Sequence, residues 1–225
     1  MKRLLLAAAL ALAPALAWTA PALADSPQHL VDSSTLALED LVGGSSGGQI
    51  QAYLHKAKGV VICPNIFRGG LVFGGEGGGC VMSARTADGS WSYPALYNLG
   101  SGSFGLQIGV QNSEVIMLIM SDTGLNALLN SQIKFGGDAG ISVATFGTGV
   151  NGSMSTALNA DIISFSKSQG LYGGVTLAGS VLGNDSGAQQ KYYGQELAAR
   201  QIVVEGQGSN PGANPLRTLL GRYGQ

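Results

Sequence analysis

Apolar residues recur at helical spacing in the first part of the chain and at alternating spacing after it. Beyond Pro27, Leu30, Val31, Ala37, Leu38, Leu41 and Val42 share one helical face, while Asp32, Glu39 and Asp40 fall mainly on the other. The run Gly43-Gly44-Ser45-Ser46-Gly47-Gly48 breaks that helix. Ile50, Tyr53, Leu54 and Ala57, at i, i+3, i+4 and i+7, then predict a second, shorter helix. His55, Lys56 and Lys58 crowd its carboxyl end, where cations suit the helix dipole. From Gly59 the period is two. Val60–Cys63, Gly70–Phe73, Gly79–Arg85, Trp91–Leu99, Phe104–Gln111 and Glu114–Met120 read as strands, with turns at Asp88-Gly89 and Asn112-Ser113. A helix is expected over Thr123–Asn130. Strands resume at Asp138–Phe146, Met154–Ser168 and Leu171–Leu182. Gln195–Val204 reads as a helix. Pro215 opens a short amphipathic one, with Leu216, Leu219, Leu220 and Tyr223 on one side and Arg217 and Arg222 flanking it.

Most of these connections are too short for parallel crossovers, so a mostly antiparallel arrangement is expected. The predicted class is α+β, mainly β: a large curled, glycine-rich sheet or barrel-like body with amino-terminal helices and a carboxyl-terminal amphipathic helix. Residues 25–205 form the predicted domain, and residues 206–225 a linker and short tail. The tail is too brief to hold a helix alone, since isolated helices below about 12–15 residues are marginal in water. Its leucine stripe must pack on the protein's own body or on a membrane.

Composition sharpens this picture at two points. The chain holds 36 glycines, yet 45% of it is hydrophobic, so the glycines belong to a folded body and not to disorder. They fall inside alternating segments, where glycine marks bulges, bends and close backbone approach. Charged residues make up only 11%, which fits extensive burial or a face that is apolar for a purpose.

The first residues imply export. Lys2 and Arg3 precede an almost pure Leu/Ala run, and Ala22-Leu23-Ala24 presents small residues where a signal peptidase reads. The expectation is a signal peptide over residues 1–24, cleavage before Asp25, and a periplasmic or secreted mature chain. Its net charge would be −3, which is no footprint for nucleic acid. Cys63 and Cys80 are then an even pair in an oxidising compartment, which favours one disulfide; the alternative is two buried thiols.

Catalytic signatures are scarce. His29 and His55 are the two histidines, and no zinc or P-loop motif occurs. Gly100-Ser101-Gly102-Ser103-Phe104-Gly105 matches the dinucleotide pattern, but Leu106–Val110 is strand-like where that site needs a helix amino-terminus. Glu76 is the one charge in Gly74-Gly75-Glu76-Gly77-Gly78-Gly79. It reads either as a ligand contact or base, or as a carboxylate tied to backbone N–H groups at a wide turn. No cofactor is expected.

A series of blocks carries a resemblance. Ala57-Lys58-Gly59-Val60-Val61-Ile62-Cys63-Pro64 leads to Phe67-Arg68-Gly69-Gly70, the Glu76 glycine cluster, Trp91-Ser92-Tyr93-Pro94-Ala95 and Gly102–Gly109. Further along the chain lie Lys134-Phe135-Gly136-Gly137-Asp138, Gly170–Val175 and Tyr192-Tyr193-Gly194. In order and spacing these blocks resemble the SYLF domain from roughly Leu30 to Val204. The resemblance implies binding of phospholipids, phosphoinositides in eukaryotic members, with no enzymatic activity. Some of those members also bind actin, which is not expected as a partner of an exported bacterial-type chain. Eukaryotic members use a basic amphipathic amino-terminal helix, whereas here the first helix carries Asp32, Glu39 and Asp40.

The expected lipid contacts are Lys58, Arg68, Glu76 and Lys134, with Gly74, Gly75, Gly77, Gly102 and Gly105 as glycine turns beside the ligand. The expected function is peripheral binding of an anionic phospholipid or phosphoinositide-like lipid. The alternatives are an envelope interaction protein with no small ligand, and a hydrolase using Glu76.

Overall fold

The computed structural model describes residues 26–70, 73–104, 109–130, 132–137, 140–147, 159–170 and 177–225. The leader expected over residues 1–24 lies outside the described residues. Helix α1 (Pro27–Gly43) is capped by Ser26, whose side chain accepts from the His29 amide, and α2 (Gly47–Leu54) comes next. The sheet strands are β1 (Gly59–Gly70), β2 (Phe73–Ala84), β3 (Ala95–Phe104), β4 (Gly109–Ile119), β5 (Ile133–Lys134), β6 (Val143–Gly147), β7 (Ile162–Gly170) and β8 (Val181–Asn184). Helices α3 (Asp122–Asn130), α4 (Ser186–Tyr193), α5 (Ala199–Val203) and α6 (Asn214–Tyr223) follow, the last preceded by a 3-10 turn at Pro211–Ala213.

The eight strands form one curled, half-barrel sheet in the order β5-β8-β3-β2-β1-β4-β7-β6. The central run β3-β2-β1-β4 has the strand order of a Greek key, because β4 returns to pair with β1. It is thus not a plain meander, and β6 pairs with β7 in parallel.

Two segments expected as turns are strand. Gly74–Gly79 runs inside β2, with Gly77 opposite Phe67 on one side and Gly100 on the other. Ladder bonds from both neighbours offset glycine's entropic cost there. Asn112-Ser113 likewise lies within β4. The irregularity in this region sits on β1 instead. Its register slips by one residue against β2 and β4 around Pro64-Asn65, where proline has no N–H to give a ladder. Opposite that bulge stands Gly78, and a Cβ there would lie 2.1 Å from the Asn65 carbonyl oxygen.

Alternation assigns the two faces. Val60, Ile62, Val81, Leu96, Ile116, Leu118, Ile163 and Phe165 pack under α1, α2 and α6. Val61, Cys80, Met82, Tyr97, Leu99, Val115 and Met117 form the opposite core with Leu128, Ala199, Ile202 and Val203. Of the two surfaces open to the tail, the protein's own body holds it. Leu216, Leu219 and Leu220 are buried beside α1, and Asn210 of the preceding segment donates to the Tyr192 carbonyl at 2.9 Å.

Helix α4 is absent from the sequence expectation, and the helix expected over Gln195–Val204 is only Ala199–Val203. The inward face of α4 carries Gln189, fully buried, whose Oε1 accepts from the Leu96 amide at 3.1 Å. A hydrophobic period does not register a glutamine that serves as core.

Candidate functional site

The opposite face of the sheet changes character toward the glycine-rich end. Cys80 and Met82 belong to the apolar core, but further down β2 the same face presents Glu76. The bulge at Pro64-Asn65 rephases β1 so that Arg68 falls opposite Glu76 on that face. Arg68 Nε donates to Glu76 Oε2 at 2.8 Å, and its terminal nitrogen reaches the same oxygen. Ser180, just before β8, donates to Glu76 Oε1. The Glu76 side chain is only 3% exposed, so this carboxylate is neutralised and bonded on both oxygens, as a buried charge must be. This replaces the expectation of backbone N–H bonds at a wide turn.

The polar character continues across β1 into β4 and β7. Register sets Gln111 opposite Arg68, Ser113 opposite Ser168, and Ser166 and Ser164 opposite Val115 and Met117. Gln111 is 2% exposed and donates through Nε2 to Ser113 Oγ at 2.9 Å, while its Oε1 has no partner. The hydroxyls of Ser164 and Ser166, both buried, have none either. An unpaired buried polar atom costs about 1–3 kcal/mol. Three of them on one face form a belt from Ser180 through Glu76, Arg68 and Gln111 to the β7 serines. Such a belt can accept from and donate to a polar molecule with several hydroxyls.

The expected contacts divide. Arg68 and Glu76 lie in the belt. Lys58 precedes the other end of β1, about 33 Å from Arg68 at 3.3 Å per residue, and donates to Asp122 at 2.5 Å. Lys134 is exposed on β5, opposite Val181 and one register step from Ser180. The three cations therefore do not form one cluster. Gly74, Gly75 and Gly77 are strand positions of β2, and Gly102 lies opposite Gly75 on β3. Gly105 lies outside the described residues. The belt's serines were not anticipated, although Ser164, Ser166 and Ser168 at period two are legible as one polar strand face.

Cys63 and Cys80 form the disulfide, directly across β1 and β2 with Cα atoms 4.1 Å apart. On the helical face Glu114 meets Asp40 of α1 and Lys167 of β7. Burial, then Asp40, pushes the Glu114 carboxyl up to about 7. The hydrogen bond from Lys167 holds Asp40 below its ordinary value, and the same contact raises Lys167. Among the described residues no group of three or more His, Cys, Asp and Glu is placed to hold a metal. No described helix is long and apolar enough to cross a membrane.

Comparison with known proteins adds the family. Residues 100–223, more than half of the chain, match a family model described as Ysc84, Las17-binding protein actin regulator. The human SH3 domain-containing YSC84-like protein 1 is 28% identical over 151 residues, 67% of this chain and 44% of the relative. Protein YSC84 of Saccharomyces cerevisiae is 28% identical over 170 residues, 74% of this chain and 36% of the relative. LAS seventeen-binding protein 3 of the same organism is 27% identical over 170 residues, 74% and 37% respectively. The chain spans less than half the length of these curated relatives.

Proposed function

The chain belongs to the Ysc84 (SYLF) family, and on that premise we propose that it binds lipid without catalysis, seating the polar part of an anionic phospholipid or phosphoinositide-like lipid on the belt from Ser180 to Ser164. The observation that carries this reading is the trio of unpartnered buried atoms, Gln111 Oε1, Ser164 Oγ and Ser166 Oγ. A glycerol or inositol headgroup offers hydroxyls that pair with both an acceptor amide and donor hydroxyls. Arg68 contributes positive charge at the rim, tempered by Glu76. Glu76 itself is engaged on both oxygens, which favours a positioning role over proton abstraction and weighs against the hydrolase reading.

A second reading, a protein-interaction module, is favoured by two exposed apolar side chains. Phe67 and Val110, 55% and 57% exposed, stand on neighbouring strands where Gly69 pairs with Val110. The family description names a Las17-binding actin regulator, so the sequence-based exclusion of actin finds no support there. The proposal also places the mature chain, from Asp25, outside the cytoplasm. The Cys63–Cys80 bond supports this, because disulfides persist in oxidising compartments.

The test of the lipid reading is native mass spectrometry with lipid identification, paired with flotation on phosphatidylcholine/phosphatidylglycerol vesicles. Ser164→Ala/Ser166→Ala removes two unpaired hydroxyls, so the melting temperature is expected to hold while lipid binding falls. Binding that survives the double change would move the site off the belt, and no bound lipid at all would leave the interaction reading.

A further inference from the structure

At the other end of the sheet, the turn after β2 and the docked helix α6 enclose a cleft of about 590 Å³. That volume is ample for a small ligand. Arg85, Trp91 and Arg217 line it. The Arg85 guanidinium lies 4.6 Å over the Trp91 ring. It donates to the carbonyls of Leu54 at 3.0 Å, Ala57 at 3.3 Å, Gly89 at 3.1 Å and Gly224 at 3.2 Å. The Arg217 guanidinium lies 4.1 Å over Tyr93 and donates through Nε to the Trp91 carbonyl at 2.8 Å. It also reaches Asn214 Oδ1 at 3.5 Å.

Every one of these partners is neutral. The guanidinium groups are fixed in place by carbonyls and rings, and neither takes part in the ion pairs seen among the described residues. Burial lowers the Arg85 pKa, as expected for a cation whose lost hydration no anion replaces. The acidic residue of the lining, Asp88, is turned into its own loop. Its Oδ1 accepts from Thr86 Oγ1 at 2.5 Å and from the amide and hydroxyl of Ser90 at 3.1 and 2.8 Å. Thr218 adds a hydroxyl to the wall.

We propose that this cleft binds a small phosphate-bearing anion, with Arg217 and Arg85 as cationic walls and Trp91 in the lining. Arg217 presents terminal N–H groups to phosphate oxygens, while Arg85, whose Nε, Nη1 and Nη2 already donate to carbonyls, contributes its charge; two cations suit a dianionic phosphate better than a single carboxylate. The site is independent of the belt and of the lipid reading. The phosphate comes either from a soluble ester or from a headgroup at a membrane surface.

The chain has two tryptophans, Trp18 and Trp91, and the mature chain proposed above, from Asp25, keeps Trp91, so its emission reports the cleft. Inorganic phosphate is titrated against sodium chloride at matched ionic strength, and in parallel against vesicles of phosphatidylcholine with and without phosphatidylglycerol. The expected result is a saturable change in Trp91 emission that chloride does not reproduce. Arg217→Gln is expected to weaken it about tenfold, the effect of one lost charge-assisted bond. Thr218→Val, an exposed change that leaves Trp91 untouched, is expected to weaken it in the same direction. A change with inorganic phosphate assigns the site to a soluble ester, and a change confined to anionic vesicles assigns it to a headgroup. Either supports the site. No saturable change with any probe, or a change that Arg217→Gln and Thr218→Val both leave intact, overturns it.

Discussion

Gly78 lies against the carbonyl of Asn65 so closely that a Cβ would stand 2.1 Å from its oxygen and 2.9 Å from Ile66 Cδ1. The bulge that rephases β1 and brings Arg68 over Glu76 therefore needs a glycine across from it. Gly78→Ala is expected to destabilise the fold by about 2–4 kcal/mol, since backbone has to move. Gly102→Ala, whose Cβ would meet nothing within 4 Å, should stay within about 0.5 kcal/mol. Urea unfolding of the two variants checks the contrast.

The Glu76–Arg68 pair should behave as a buried charge with one partly wet partner. Glu76→Gln removes the negative charge that faces Arg68 and is expected to cost about 2 kcal/mol, less than a fully buried pair because Arg68 keeps some access to water. Arg68→Met/Glu76→Leu should recover most of that loss. A double-mutant cycle by thermal unfolding measures the coupling; additive losses would mean that the pair is not coupled.

Reduction of Cys63–Cys80 opens a loop of 17 residues in sequence and is expected to lower stability by about 3 kcal/mol. Thiol labelling of unfolded, unreduced chain should find no free thiol. Two labelled cysteines would restore the buried-thiol alternative.

The Asp40–Glu114–Lys167 cluster ties α1 to the sheet in a pH-dependent way. Glu114 titrates near 7 in the folded chain against an ordinary value of 4.5, so the folded state holds this proton more tightly. Its contribution is full below about 4.5 and is lost as pH rises through about 7. Asp40, with its pKa lowered, contributes above its ordinary 3.8 and loses that on acidification. Stability is thus expected to fall by about 1–2 kcal/mol between pH 5 and 8 after allowance for solvent screening. Glu114→Gln should flatten that slope in melting curves taken across the range.

Truncation after Glu205 removes three buried leucines from the α1 side of the core. Each is worth about 1.5–3 kcal/mol before ordering costs, so the melting temperature should drop markedly. Unchanged stability with lost vesicle binding would show the tail acting on a membrane.

The alternation of apolar residues determined the class of this fold and most of its strands and helices, because periodicity directly reports which face is shielded from water; it marked the tail's leucine stripe as apolar, and only the packing beside α1 decided what covers it. The glycine cluster and the bulge were not legible in the same way. Glycines look like turn residues until flanking strands saturate their N–H and C=O groups, and those neighbours, β1 and β3, come from elsewhere in the chain. Arg68 and Glu76 were both visible as lone charges in neutral surroundings. That they pair, and that Lys58 does not join them, is the result of a one-residue slip at Pro64-Asn65 and the length of β1. The unpartnered atoms of Gln111, Ser164 and Ser166, and the meeting of Arg85 with Arg217, required long-range pairing. Local sequence sets what each strand face carries; only tertiary packing decides which buried polar groups meet partners there.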